Sequence, residues 1–190
     1  MSLNFRAFVA SISAAATLAV AGPALADDHM NPMVGGAKMY ESKPIAANAS
    51  AAPNLTTLVA AVKAAGLVET LSGPGPFTVF APTNDAFDKL PAGTVETLVK
   101  PENKETLTKI LTCHVASGVI TAENIVATIE KGKGMAKIET LGGCELTATM
   151  KDGMVMLTDP KGDVATVETA DVRQSNGMVH VISTVMLPKM

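Results

Sequence analysis

With no tryptophan, one tyrosine and five phenylalanines, this chain has too few aromatic rings to stack unpaired bases. It has no basic stripe either. Lysine and arginine number 15 against 18 acids, a formal net charge of −3, so its field repels a phosphate backbone and nucleic acid is excluded as a partner. Also absent are Gly-x-Ser-x-Gly, His-Glu-x-x-His, paired Cys-x-x-Cys and Gly-x-x-x-x-Gly-Lys-Ser/Thr. The three histidines, His29, His114 and His180, stand in unrelated contexts. Nothing supplies a nucleophile, a base and oxyanion donors together, so no enzymatic activity is expected. Gly132 and Gly134 follow a helical pattern and read as a turn, not a phosphate loop.

What is present begins with a leader. Arg6 precedes an uncharged stretch over residues 7–26 that closes with Ala24-Leu25-Ala26, which reads as a secretory signal peptide over residues 1–26; a retained anchor is the competing reading. No later run is long and apolar enough for a membrane helix. Removing the leader takes away Arg6 alone among the charged residues and makes the chain more acidic. Export to the periplasm or beyond puts Cys113 and Cys144, the only two cysteines, where thiols oxidise. A disulfide is expected, worth about 3 to 4 kcal/mol in the chain-entropy model, with two free buried thiols as the alternative.

Residues 27–41 show little periodicity and read as a mobile N-terminal leader, with order beginning near Ile45. Cleavage after Ala26 would start the mature chain Asp27-Asp28-His29, and an α-amine, two amide nitrogens and a third-position imidazole match the square-planar preference of Cu(II). An incidental histidine in a polar leader is the plainer reading. Leu55, Leu58, Val59 and Val62 recur at helical spacing after Asn54 as a candidate cap, and Gly66 interrupts the pattern. Phe77 to Phe80 reads as a buried strand stopped by Pro82, with Thr83 capping the next helix. Leu107, Ile110 and Leu111 mark one further helix. Ile125, Val126 and Ile129, behind the candidate cap Thr121, mark another. From Met135 the period becomes two, with strands expected near 136–141, 144–150, 154–158, 163–169 and 178–187 and turns at Lys151-Asp152-Gly153 and residues 159–162. Helices gathered before strands predict an α+β domain.

Two strings carry a family resemblance. Gly75-Pro76-Phe77-Thr78-Val79-Phe80-Ala81-Pro82-Thr83-Asn84-Asp85-Ala86-Phe87 resembles the first signature box of the fasciclin-type (FAS1) domain, and Asn176-Gly177-Met178-Val179-His180-Val181-Ile182-Ser183-Thr184-Val185-Met186-Leu187-Pro188 resembles the second. The resemblance implies an α+β fold, a β-wedge of two sheets flanked by several helices, as a single domain over residues 42–190. It also implies non-enzymatic adhesion or surface interaction with an extracellular protein or polysaccharide. Where relatives often have Tyr-His this chain has Cys113-His114, and where they commonly have Ile-Asp it has Ile182-Ser183. Residues linked to receptor contact or adhesion in some members are therefore missing. His114 and His180 are the candidate interaction residues, although packing with one hydrogen bond is the favoured reading of each. Met135, Met150, Met154, Met156, Met178 and Met186 crowd the β-rich half, where core filling competes with an adaptable groove. The alternative function is a periplasmic carrier of copper or a small hydrophobic ligand, and a monomer is expected.

Overall fold

The computed structural model describes residues 31–189; the expected signal peptide over residues 1–26 and Asp27-Asp28-His29 lie outside them. The described part of the expected mobile leader is folded. Strands β1 (Met33–Val34) and β2 (Ala37–Lys38) form an antiparallel hairpin. Val34 and Met39 are buried in the main core. Asn48 fastens the segment: its Oδ1 accepts from the Tyr40 N–H at 3.1 Å and its Nδ2 donates to the Tyr40 carbonyl at 2.7 Å. Two-residue strands are too short to show alternation, which is why the pattern read as structureless.

Helices α1 (Ile45–Ala51), α2 (Thr56–Ala65) and α3 (Val68–Ser72) follow. Gly66 ends α2 in the left-handed region at φ 76°, as its interruption of the apolar pattern suggests. Asn54 does not cap α2. Asn84, from the first signature box, does so across the fold, accepting from the Thr57 N–H at 3.0 Å and donating to the Pro53 carbonyl at 3.0 Å. Strand β3 (Phe77–Pro82) runs into α4 (Asn84–Asp88), whose cap Thr83 accepts from the Ala86 N–H at 3.3 Å. Then come α5 (Thr94–Leu98), α6 (Lys104–Thr112), β4 (Val115–Ser117) and α7 (Ala122–Lys131). Thr121 caps α7, accepting from the Asn124 N–H at 3.2 Å.

The remaining strands are β5 (Met135–Glu139), β6 (Glu145–Lys151), β7 (Met154–Thr158), β8 (Val164–Gln174) and β9 (Gly177–Ile182). Seven strands form one mixed sheet in the order β4-β3-β9-β8-β7-β6-β5, antiparallel except where β3 meets β9. The two halves of the wedge join along β8. Its residues 164–166 pair with β7 and the rest with β9, and the register shifts at Val167/Thr169 and Thr169/Val172 mark the bend. These bulges break the two-residue period, so the sequence pattern stops β8 near residue 169.

Alternation along β3 and β9 sends side chains into two cores. Val79, Ala81, Val179 and Val181 face the helices α1 to α6, whereas Phe80 and Ile182 join Ile125, Ile129, Leu146 and Leu157 between the wedge halves and α7. Cys113 and Cys144 are joined, with Cα atoms 5.3 Å apart, tying the end of α6 to the β5–β6 turn. Flanking bonds from the Leu141 N–H to the Val115 carbonyl (2.7 Å) and from the Gly142 N–H to the Thr112 carbonyl (3.0 Å) hold the same junction.

Phe80, fully buried, should cost about 3 to 5 kcal/mol when cut to alanine, read by urea denaturation; a wild-type midpoint would contradict its core placement. Cys144→Ser should lower stability by about 3 to 4 kcal/mol. Wild-type protein kept reduced should lose the same amount, and equal melting of oxidised and reduced protein would contradict a stabilising bridge.

Candidate functional site

The two signature strings lie side by side. β3 and β9 pair in parallel from Phe77↔Gly177 to Pro82↔Ile182, and two glycines permit the approach. A Cβ on Gly75 would strike the Asn176 carbonyl, and one on Gly177 would strike the Phe77 carbonyl. Asn176 secures the junction: its Nδ2 donates to the carbonyls of Leu71 (2.8 Å) and Gly73 (3.0 Å), and its Oδ1 accepts from the Ile45 N–H at 2.9 Å. One side chain thus ties α1 and the end of α3 to the sheet.

Neither candidate interaction histidine reaches the surface: His114 is 1% exposed and His180 0%, so neither can touch a partner in this folded state. His180 stacks on Phe80 with ring centroids 5.6 Å apart. Its Nδ1 accepts from the Asp171 N–H at 3.3 Å, which leaves Nε2 to donate to the Ile120 carbonyl at 2.7 Å. His114 has the opposite tautomer, with Nε2 accepting from the Met186 N–H at 2.9 Å and Nδ1 donating to the Ile110 carbonyl at 2.9 Å. Each ring makes two bonds rather than the expected one. Burial holds both imidazoles below their ordinary pKa, His114 at about 4, against the upward pull of the carbonyls they bond and of Asp159 and Asp171. They are neutral clamps.

Three residues that the sequence reading passed over carry as much of the architecture. Asp171, at the β8 bulge with φ 56°, accepts from the Ala122 N–H at 2.8 Å and so anchors the start of α7. Asn176 bonds three distant backbone groups, and Asp159 accepts from two N–H groups of its own turn and from the distant Leu187 N–H. Only Asp159 had a local signal, its place at a turn. Ser183, where relatives often have an acid, is committed to the sheet: its Oγ accepts from the Thr166 N–H at 3.0 Å.

The methionines divide. Met178 and Met186 are core. Met135 and Met156 share a cross-strand row with Thr149 and Thr166, and a second row holds Lys137, Thr147, Thr158 and Val164. Both rows lie opposite the buried Ala136, Ile138, Ala148 and Leu157, so they make the outer face of β5–β8. Met135 and Met154 are about half exposed, at 53% and 49%. Charge on this face includes the exposed Lys137–Glu145 pair at 2.8 Å. On the helical side a partly open cavity of about 60 Å³, lined by residues such as Leu58, Val62, Val79 and Val179, reaches into the main core. Among the described residues no three His, Cys, Asp or Glu side chains converge as metal ligands.

The sequence model of the Fasciclin domain matches residues 53–188. The chain belongs to the fasciclin-domain family. It is 57% identical over 135 residues to Protein sll1483 of Synechocystis, covering 71% of this chain and 68% of that one. It is 35% identical over 197 residues to Immunogenic protein MPB70 of Mycobacterium bovis, covering 95% and 93%. The structure of a FAS1 domain pair from the insect cell adhesion molecule Fasciclin I aligns with a TM-score of 0.67 at 18% identity, over 76% of this chain and 51% of that one. The fasciclin fold is thereby shared. The hairpin β1–β2 and α1 precede the segment matched by the family model.

Asn176→Ala removes three hydrogen bonds and leaves the Ile45 N–H and two carbonyls without these partners. It should cost about 2 to 4 kcal/mol, read by urea denaturation, and an unchanged midpoint would contradict this role.

Proposed function

We propose that this chain is an exported, non-enzymatic fasciclin-domain protein that binds a macromolecule outside the cytoplasm, acting in adhesion or surface association. An extracellular protein is the favoured partner and a polysaccharide the alternative. The observation that carries the reading is the outer face of β5–β8, a broad sheet surface of threonine hydroxyls and half-exposed thioethers. Such a face offers hydrogen bonds and adaptable apolar contact together. Family membership supports the class of function, and the fold neighbour is itself a cell adhesion molecule. The charge-free stretch over residues 7–26 and the disulfide support export.

The carrier alternative finds less support. The 60 Å³ cavity is far below the roughly 300 to 1,000 Å³ of small-molecule pockets, and the clefts that reach about 310 to 440 Å³ lie open at the surface. The copper reading rests on Asp27-Asp28-His29 alone, outside the described residues.

Purified mature protein with its disulfide intact should bind envelope and extracellular material of the producing cell. The double variant Met135→Glu/Met154→Glu should weaken that binding at least tenfold with stability within about 0.5 kcal/mol of wild type, as expected for surface changes. Glu69→Lys, on the exposed side of α3, should leave binding intact. Wild-type binding by the double variant would remove this face from the account. Protease or glycosidase treatment of the material identifies which class of partner is bound.

A further inference from the structure

Residues 183–189 form neither helix nor strand, yet Val185 and Met186 are 2% and 1% exposed and reach into different cores. Two consecutive backbone N–H groups of this segment are held by ionisable side chains. Met186 donates to His114 Nε2 at 2.9 Å and Leu187 to Asp159 Oδ2 at 2.7 Å. Asp159 is itself buried, and its Oδ1 accepts from the N–H groups of Lys161 (2.8 Å) and Asp163 (2.9 Å). At its start the segment is tied by the Ser183 N–H to the Thr166 carbonyl at 3.0 Å and by the Lys89 ammonium to the Ser183 carbonyl at 2.6 Å.

We propose that residues 183–189 are an acid-released strap: a proton taken up at His114 Nε2 breaks the bond to Met186, and the segment lifts locally while β3 and β9 stay paired. The geometry requires one of the two to move. His114 Nδ1 already donates to the Ile110 carbonyl, so a second ring proton would set N–H against N–H. Release exposes Val185, Met186 and the apolar floor beneath them, creating a surface available only in acid. Asp159 is the charged group that faces the ring, and its negative charge favours the protonated form. Lys89 acts at the far end of the strap, and Lys161 and Asp163 meet Asp159 through their amides.

The sign follows from linkage. With the strap closed burial lowers the ring from its ordinary 6.5 to about 4, and opening returns the ring to water and moves the value back toward 6.5. The open form binds more protons between these values, so opening rises about tenfold per pH unit as pH falls through that window and levels off below about 4.

Amide hydrogen exchange on the intact protein, at pH 7 and 4.5 in increasing urea, tests this. The strap predicts that Met186 and Leu187 open more at pH 4.5, by at least tenfold and up to about a hundredfold, by a route insensitive to low urea, while Val181 exchanges only with global unfolding. His114→Gln, which keeps an uncharged acceptor, should flatten the pH response of Met186. Exchange of Met186 that matches Val181 in both pH and urea dependence, or that ignores pH, would overturn the strap. The wild-type comparison decides this without the variant if that variant does not fold.

Discussion

Parallel pairing of β3 with β9 is the constraint on which the rest of the fold depends. It joins segments far apart in the chain, so its loop-closure entropy must be offset by contacts made at that one seam. The seam concentrates them: backbone bonds from Phe77 to Ile182, the Phe80–His180 stack, and the reciprocal close approach of Gly75 and Gly177. Alternation along the two strands then fills both cores at once, helices on one side and the second half of the wedge on the other.

Around this seam, polar side chains do what backbone pairing cannot. His180 and Asp171 fasten the approach to α7, His114 and Asp159 fasten residues 183–189, Asn176 fastens α1 and α3, and Asn84 caps α2. All but the exposed Asp171 are buried or half-buried, and together they hold helix starts and connecting segments that strand pairing does not reach. A polar group left unpaired in such a place is costly, so these clamps specify where irregular segments lie. Histidines in a family associated with adhesion invite a contact role, yet burial assigns these two to the interior.

Much of this was legible in the sequence. The period of two from Met135, the caps Thr83 and Thr121, and the breaks at Gly66 and Lys151-Asp152-Gly153 are local signals, and local physics decides them. The two strings at residues 75–87 and 176–188 identified the fold family because they hold the seam itself. What stayed hidden depends on distant partners. Strands β1 and β2 are too short to alternate. Bulges near Thr169 conceal the second half of β8, and Asn84 outcompetes Asn54 as a cap from another part of the chain. The outer face of β5–β8 was half legible. Alternation separates its two sides, but only the register shows which methionines stand beside threonines on the solvent side.

The central claim is that the signature strings build the interior and leave interaction to the exterior. Nitrogen-detected NMR of the imidazole rings tests it most directly, because tautomer and charge report what each ring nitrogen touches. The account predicts two neutral histidines of opposite tautomer at pH 7, His180 protonated at Nε2 and His114 at Nδ1, with neither titrating near its ordinary value. Rapid tautomer averaging at either ring, or titration near 6.5, would place that histidine in solvent and contradict the account.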